Sequence, residues 1–366
     1  MDVFKVNSPH TWKKFVYFPQ SIYRDDPLWI APLWSEQKKM FSPRHLQQYQ
    51  YDLFLVGENR QPAGRAAVFI DANYNEYWKE KTGFFGSYEC LNDSHASKKL
   101  LSACEDWLRQ RSMDRMRGPI SFESQNWGVI CEGFGQQPRI MSPYNPPYYN
   151  DLFLDAGLNK VKDLEVFAAE TEHYQIPERY TRHAELLRKK YRLTIRHADM
   201  KHLVDEVRTI VDLSNRSLYR NWGYAPISMN EAEGIARDLK MIVRPELVLI
   251  VESGGSPIGF SIALPDIYQV LKGLNGRLFP LGIFKILTGM SKINEYRMWA
   301  LGIVPEYHRK GIDTLLYLET FKIFRHKKIR MEANYILEDN YAMKDAVVKL
   351  GMKKARAYRI YEKRIA

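Results

Sequence analysis

Alternation of apolar and polar positions recurs twice along the chain, in the same order. DLFLVGENRQPAGRAAVFID (Asp52 to Asp71) reads as strand, turn, strand, and ELVLIVESGGSPIGFSIALPD (Glu246 to Asp266) repeats it with Gly254-Gly255 at the turn. Each hairpin follows a strand and a helical segment: VFKV then Trp12 to Tyr23, and LTIRHAD then Leu203 to Tyr219. Further on, YNPPYYNDLFLDAGLNKVKDLEVF (Tyr144 to Phe167) and DNYAMKDAVVKLGMKKARAYRIYEK (Asp339 to Lys363) each read as a helix, a C′ glycine and an alternating strand. Aligning Gly157 with Gly351 pairs Leu158 with Met352, Val166 with Ile360 and Phe167 with Tyr361, and places Asn145 and Asn340 as N-caps. The pattern predicts a mixed α/β (α+β) chain of two tandem domains, residues 1–172 and 191–366, joined by a charged helical linker at 173–190.

The length of 366 residues lets each half bury its own core. A net charge of +11 favours an anionic partner, an anionic membrane surface or a polyphosphate cofactor. Nucleic acid is not expected, because the basic residues are scattered and no recognition motif accompanies them. Cys90, Cys104 and Cys131 form no metal-ligand spacing, so a metal is not expected and reduced thiols are. The opening MDVFKVNSPHTWKK lacks the apolar stretch of a secretory signal, and no window reaches the roughly 18 apolar residues of a membrane span. The expected location is cytoplasmic, with a peripheral membrane contact in view; nothing in the pattern specifies an oligomeric state.

One stretch carries candidate chemistry. In YRMWALGIVPEYHRKGIDTLLYLETFKIF a strand from Arg297 to Val304 breaks at Pro305, and a helix turns Leu315, Leu316, Leu318, Phe321 and Phe324 toward a core. Gly311 lets the backbone approach closely at the helix start, where unpaired N–H groups favour an anion. His308, Arg309 and Lys310 add positive side chains, whereas Asp313 opposes them.

The order of these pieces resembles the GNAT superfamily of acyl-CoA-dependent acyltransferases, over Tyr191 to Ala366 and more weakly over the first half. The resemblance implies tandem GNAT-like domains, each a mixed central sheet flanked by helices. The family's pyrophosphate loop, Gln/Arg-x-x-Gly-x-Gly/Ala, falls on His308, Arg309, Lys310, Gly311, Ile312 and Asp313, and only Gly311 matches strictly. By resemblance, backbone N–H groups from Arg309 to Asp313 hold the CoA pyrophosphate, and Leu301, Gly302, Ile303 and Val304 run beside the pantetheine, with Asn340 at the following helix. The family's leaving-group tyrosine falls on Val347, which leaves either another phenol, Tyr341, Tyr335 or Tyr358, or a thiolate that departs without a dedicated acid. In the first half SYECLNDSHASKKLLSACEDWL takes the place of the loop without a glycine and with Glu89 and Asp93 beside it, the mark of a degenerate copy.

The whole chain is similar to two-domain bacterial acyltransferases sharing PLWIAPL (Pro27 to Leu33), NEYWKEKTGFFG (Asn75 to Gly86), Arg117-Gly118-Pro119 and MSPYNPPYY (Met141 to Tyr149), a group that includes ceramide synthases. That resemblance implies an acyl-CoA cosubstrate and a small-molecule or lipid amine acceptor. An ammonium acceptor must lose a proton, which makes carboxylates near the thioester the natural base: Glu338 first, then Asp339 and Glu332. Caps are the ordinary role of acids before a helix, and His308 fits a pyrophosphate contact better than a base. A backbone N–H near Leu301 or Gly302, where the strand splays, is the expected carbonyl-polarising group. A non-catalytic acyl-CoA-binding or scaffold protein stays open beside the enzyme.

Between Pro265 and Arg297 stands a long insertion, IYQVLKGLNGRLFPLGIFKILTGMSKINEY, where the family has a short turn. Its Leu, Ile and Phe with interleaved Lys272, Arg277, Lys285 and Lys292 suit a lid over an acyl chain, an interfacial segment on an anionic membrane, or a helical hairpin packed on the first domain.

Overall fold

A computed structural model describes residues 1–58, 61–122, 126–171, 178–278, 282–325 and 327–366. The first hairpin's turn (59–60), the start of the expected linker (173–177) and residues 279–281 of the insertion lie outside the described residues. The chain forms two compact units. One comprises 1–164, 270–288 and 356–366, and the other 165–269 and 289–355. The sequence reading places one cut at 173–190, whereas the units are discontinuous because strand pairing, which is long-range, recruits chain from elsewhere.

The first repeat runs β1 (Asp2–Lys5), α1 (Pro9–Tyr17), β2 (Gln50–Glu58), β3 (Gln61–Ile70), β4 (Thr82–Cys90), α2 (Ser94–Arg109), β5 (Arg115–Gly118), β6 (Val129–Glu132), α3 (Tyr149–Asp155) and β7 (Asn159–Glu170). The second runs α4 (Glu178–Tyr191), β8 (Leu193–His197), α5 (Leu203–Ser217), α6 (Met229–Leu239), β9 (Val248–Ser253), β10 (Ser256–Pro265), α7 (Gly282–Gly289), β11 (Glu295–Ile303), α8 (Ile312–Phe324), β12 (Arg330–Leu337), α9 (Tyr341–Lys349) and β13 (Lys353–Arg364). Strand order is the same in both: β1-β2-β3-β4-β5 and β8-β9-β10-β11-β12, antiparallel until the parallel pairs β4·β5 and β11·β12.

In the first unit the strand beside β5 is β13, with Tyr361 opposite Gly118 and Arg364 opposite Arg115. Tyr361 and Ile365 enter the same core as Phe85, Leu100, Trp107 and Phe153. Arg359 donates two bonds to the Asp163 carboxylate, at 2.8 and 2.9 Å, which pushes the Arg359 guanidinium further up. The second unit's sheet buries Leu249, Val251, Phe260 and Met331. Helix α8 touches β9, β10 and β11 on one side and α4 and α9 on others, so it is apolar nearly all round.

Local chemistry explains the repeated ends. Gly157 (φ 81°) and Gly351 (φ 84°) close α3 and α9 with the same pair of bonds, the glycine N–H to the carbonyl three back and the next N–H to the one five back. Gly254 (φ 57°) and Gly255 (φ 85°) make the second hairpin's turn. Asn340 caps α9, accepting from the Met343 N–H at 3.2 Å. Asn145 does not cap α3: that helix starts only at Tyr149, after Pro146-Pro147, and Asn145 instead accepts the Ile130 N–H at 2.7 Å and so holds β6. Asn75 sits on a short helix (Ala72–Trp78) and pairs with the Thr82 backbone at 2.9 Å in both directions. The inserted residues Val270–Thr288 cluster with the first unit.

Candidate active site

Strands β11 and β12 part company. They pair only from Glu295 with Arg330 to Met298 with Ala333, although β11 continues to Ile303 and β12 to Leu337. A bulge produces the divergence: Ile262 of β10 faces Ala300 while Ala263 faces Met298, so Trp299 is the extra residue that bends β11. Beyond it β11 stays paired to β10, up to Gly259 with Ile303. Its other edge, along Trp299 to Ile303 and therefore along Leu301 and Gly302, has no ladder partner in β12 among the described residues. Gly302 is needed for close packing, since a Cβ there would overlap the Ser217 hydroxyl and the Phe260 ring.

The gap leads to the turn before α8. The Val304 N–H bonds the Ile258 carbonyl at 2.9 Å, and a single turn over Pro305–Tyr307 follows. Arg309 (φ 57°) and Gly311 (φ 77°) both take left-handed backbone, and Gly311 stands at the N-cap of α8 with no side chain bonded to the helix start. The N–H groups of the first turn of α8 thus meet no side-chain cap at the positive end of the helix dipole. Lys310 lays its ammonium over the rings of Tyr307 (4.4 Å) and Tyr191 (5.0 Å). His308 turns back, its Nε2 2.7 Å from the Ile303 carbonyl oxygen. Ile312 is buried, and Asp313 makes neither a cap nor an ion pair among the described residues. Its charge bears on Tyr317, one turn on, whose hydroxyl is pushed up first by burial and then by Asp313.

The candidate carboxylates occupy different settings. Glu332 is 2% exposed, faces Arg297 in the paired part of the strands and accepts from Arg330 Nε at 3.4 Å. Arg297 in turn stacks on Tyr335, 4.9 Å from the ring centroid. Glu338 lies at the end of β12, half-buried, with its carbonyl accepting from Lys344 at 2.9 Å; Asp339 is exposed beside it. Tyr341 opens α9 and is 69% exposed. Tyr358 belongs to the first unit, where Arg356 donates to its hydroxyl at 3.1 Å. Val347 is fully buried, as a core position of α9.

Three residues near these elements had no mark in the sequence pattern. Ser217 meets Gly302 from the last turn of α5, and His183 on α4 lies 3.4 Å from where a Gly311 Cβ would stand. Tyr317 points its hydroxyl at the Met343 sulfur on α9, 3.3 Å away. Helical spacing places Tyr317 one turn beyond Asp313, but only the fold says what it meets.

The first repeat fills the corresponding places with its own atoms. Strand β4 pairs with β5 only over Thr82 to Phe84, but the Ile120 N–H then bonds the Phe85 carbonyl at 2.9 Å, and a Cβ on Gly86 would fall on the Ile120 carbonyl oxygen. The helix start equivalent to Gly311 carries Asp93, whose carboxylate accepts the Ala96 N–H at 3.0 Å. Glu89 is held by the hydroxyls of Tyr23 (2.8 Å) and Tyr149 (2.7 Å), and Arg65 stands 4.0 Å away. Tyr144 and Tyr148 are likewise tied inward, to Asp26 (2.6 Å) and the Cys90 carbonyl (2.9 Å). Among the described residues no group of His, Cys, Asp and Glu is arranged to hold a metal, and no helix is long and apolar enough to cross a membrane.

A bulged strand diverging from its parallel neighbour above a helix N-terminus, built twice in one chain, is the tandem fold of GCN5-related N-acetyltransferases (GNAT). The tandem GNAT protein from the clavulanic acid biosynthesis pathway superposes with a TM-score of 0.56 at 10% identity, covering 100% of this chain and 98% of its own. A GCN5-related N-acetyltransferase from Sphaerobacter thermophilus gives 0.56 at 14% identity, with 99% and 96% covered. Among curated proteins, Protein YghO of Escherichia coli (strain K12) is 29% identical over 96% of this chain and 93% of its own length. The bacterial ceramide synthase of Caulobacter vibrioides is 27% identical over 99% and 97%. No protein-family model matches the chain.

Proposed function

We propose that the chain is an N-acyltransferase that moves an acyl group from acyl-CoA to an amine. The observation that carries this reading is the continuity, inside one unit, between the gap of β11 and β12 and the uncapped start of α8. Those residues fit coenzyme A: N–H groups of Arg309 to Asp313 and the side chains of Arg309 and Lys310 would hold its pyrophosphate, and the free edge of β11 its pantetheine. Coenzyme A, when bound, supplies the acyl group as a reactive thioester.

The chain's own residues supply the rest. N–H groups near Leu301 and Gly302 polarise the carbonyl. Glu338 takes the acceptor's proton, directly or through water, ahead of Asp339, which is more exposed, and Glu332, which is engaged with Arg330. Tyr341, which follows the Asn340 cap, would return a proton to the departing thiolate. The first repeat is a copy without a cofactor, its helix start satisfied by Asp93 and its gap by Ile120.

The whole-length likeness to the curated ceramide synthase supports a narrower reading, long-chain acylation of a lipidic amine such as a sphingoid base. The test is thiol release from acyl-CoAs of graded length with short amines and a sphingoid base, with the amide identified by mass spectrometry. CoA binding without thiol release across the panel would reduce the protein to a binder. Turnover only with short amines would remove the lipid reading.

A further inference from the structure

Helix α7 is an apolar element left in the open. Of GIFKILTG only Gly282 is buried, whereas Phe284 is 68%, Leu287 67% and Ile283 38% exposed. Spaced at i, i+1 and i+4, these three share one side of the helix. Water contact on such a group is unfavourable, and a contiguous exposed apolar cluster is the kind of surface that docks on an apolar partner.

The base that carries the helix is pinned. Leu271 is buried, the Trp34 indole donates to the Asn275 carbonyl at 3.0 Å, and the Trp34 N–H donates to the Gly276 carbonyl at 3.1 Å. Gly276 takes φ 74°, and a Cβ there would overlap Pro32 and Trp34. The segment is therefore fixed at its root while its tip faces solvent.

Charge says what covers it. Lys272, Arg277 and Lys285 are all exposed, and not one acid stands between Asp266 and Glu295, in a chain with 43 acids and a net charge of +11. An apolar face with cations beside it matches the boundary of an anionic bilayer, where acyl chains receive Phe284 and Leu287 and headgroup phosphates receive the basic side chains. We infer that α7 is a membrane-docking wedge for anionic lipid surfaces, formed by Ile283, Phe284 and Leu287 with Lys272, Arg277 and Lys285 at the headgroups.

The docking surface is separate from acyl transfer, and its assay contains neither CoA nor amine, so either reading can fail alone. The full chain is floated with phosphatidylcholine vesicles, with and without about 30% phosphatidylglycerol, against F284E/L287E and K272E/R277E/K285E, with circular dichroism melts confirming the fold. The expected result is flotation with anionic vesicles only, weakened by salt and reduced at least about tenfold in F284E/L287E. The charge-reversed variant is expected to lose about fivefold per residue on anionic vesicles. Failure of the unaltered chain to float, or equal flotation of F284E/L287E, overturns the inference. A lipid-free dimer that F284E/L287E dissociates, in a chain that does not float, overturns it in favour of self-association.

Discussion

The hydroxyl of Ser217, in the last turn of α5, lies so close to Gly302 of β11 that a Cβ at 302 would overlap it. That close approach packs the unpaired edge of β11, which carries the N–H groups proposed to polarise the carbonyl, against α5.

Gly302→Ala is expected to destabilise the protein by about 1–3 kcal/mol, the usual cost of forcing extra volume into a packed site. Acyl transfer should fall by more than this loss of folded protein explains. Urea unfolding and thiol release on the same samples check it, and Gly302→Ala with Ser217→Gly should recover part of both. Unchanged turnover in the single variant would remove Gly302 from the site.

Gly311→Ala places a Cβ on a backbone at φ 77° and should cost about 1–2 kcal/mol with weaker CoA binding. Asp313→Asn removes a negative charge from the same helix start, and calorimetry should show CoA binding unchanged or up to about fivefold tighter. A large loss of affinity in Asp313→Asn would give the carboxylate a positive role.

Glu338→Gln should lower kcat by about a hundredfold or more with little effect on folding, as for removal of a general base. Glu332→Gln, inside the sheet beside Arg297 and Arg330, should instead lower stability by about 3 kcal/mol. Paired pH–rate profiles and urea curves separate the two. If Glu332→Gln kills turnover at full stability while Glu338→Gln does not, the roles are reversed.

Glu89 makes stability depend on pH. Burial raises its carboxyl, outweighing the lowering effects of Arg65 and of the Tyr149 and Tyr23 hydroxyls. A folded value above the unfolded one means that the fold holds this proton more tightly. The contribution is full below the unfolded value and is lost as pH rises through the raised one. Urea unfolding at a series of pH values should show the unaltered chain losing stability relative to Glu89→Gln over that rise. A pH-independent difference would mean that Tyr23, Tyr149 and Arg65 fully offset the burial.

The repeat was legible because its punctuation is local. Gly157, Gly351 and the Gly254-Gly255 turn each need a left-handed backbone, and period-2 alternation follows from the pleat. Asn145 misled because capping depends on where the helix starts, and Pro146-Pro147 delay that start. The turn at Gly311 was legible as a helix start, but His308 facing Ile303 and His183 lying against Gly311 are tertiary facts without a sequence period. Nor could alternation alone say that β13 would choose β5 as its neighbour.

That choice of neighbour sets an order of assembly. The strand that covers the edge of β5 comes from Arg356–Ala366, and the core of the first unit needs Tyr361 and Ile365. The first unit therefore cannot complete its sheet or its core until the second repeat has been translated, although most of its chain is made first.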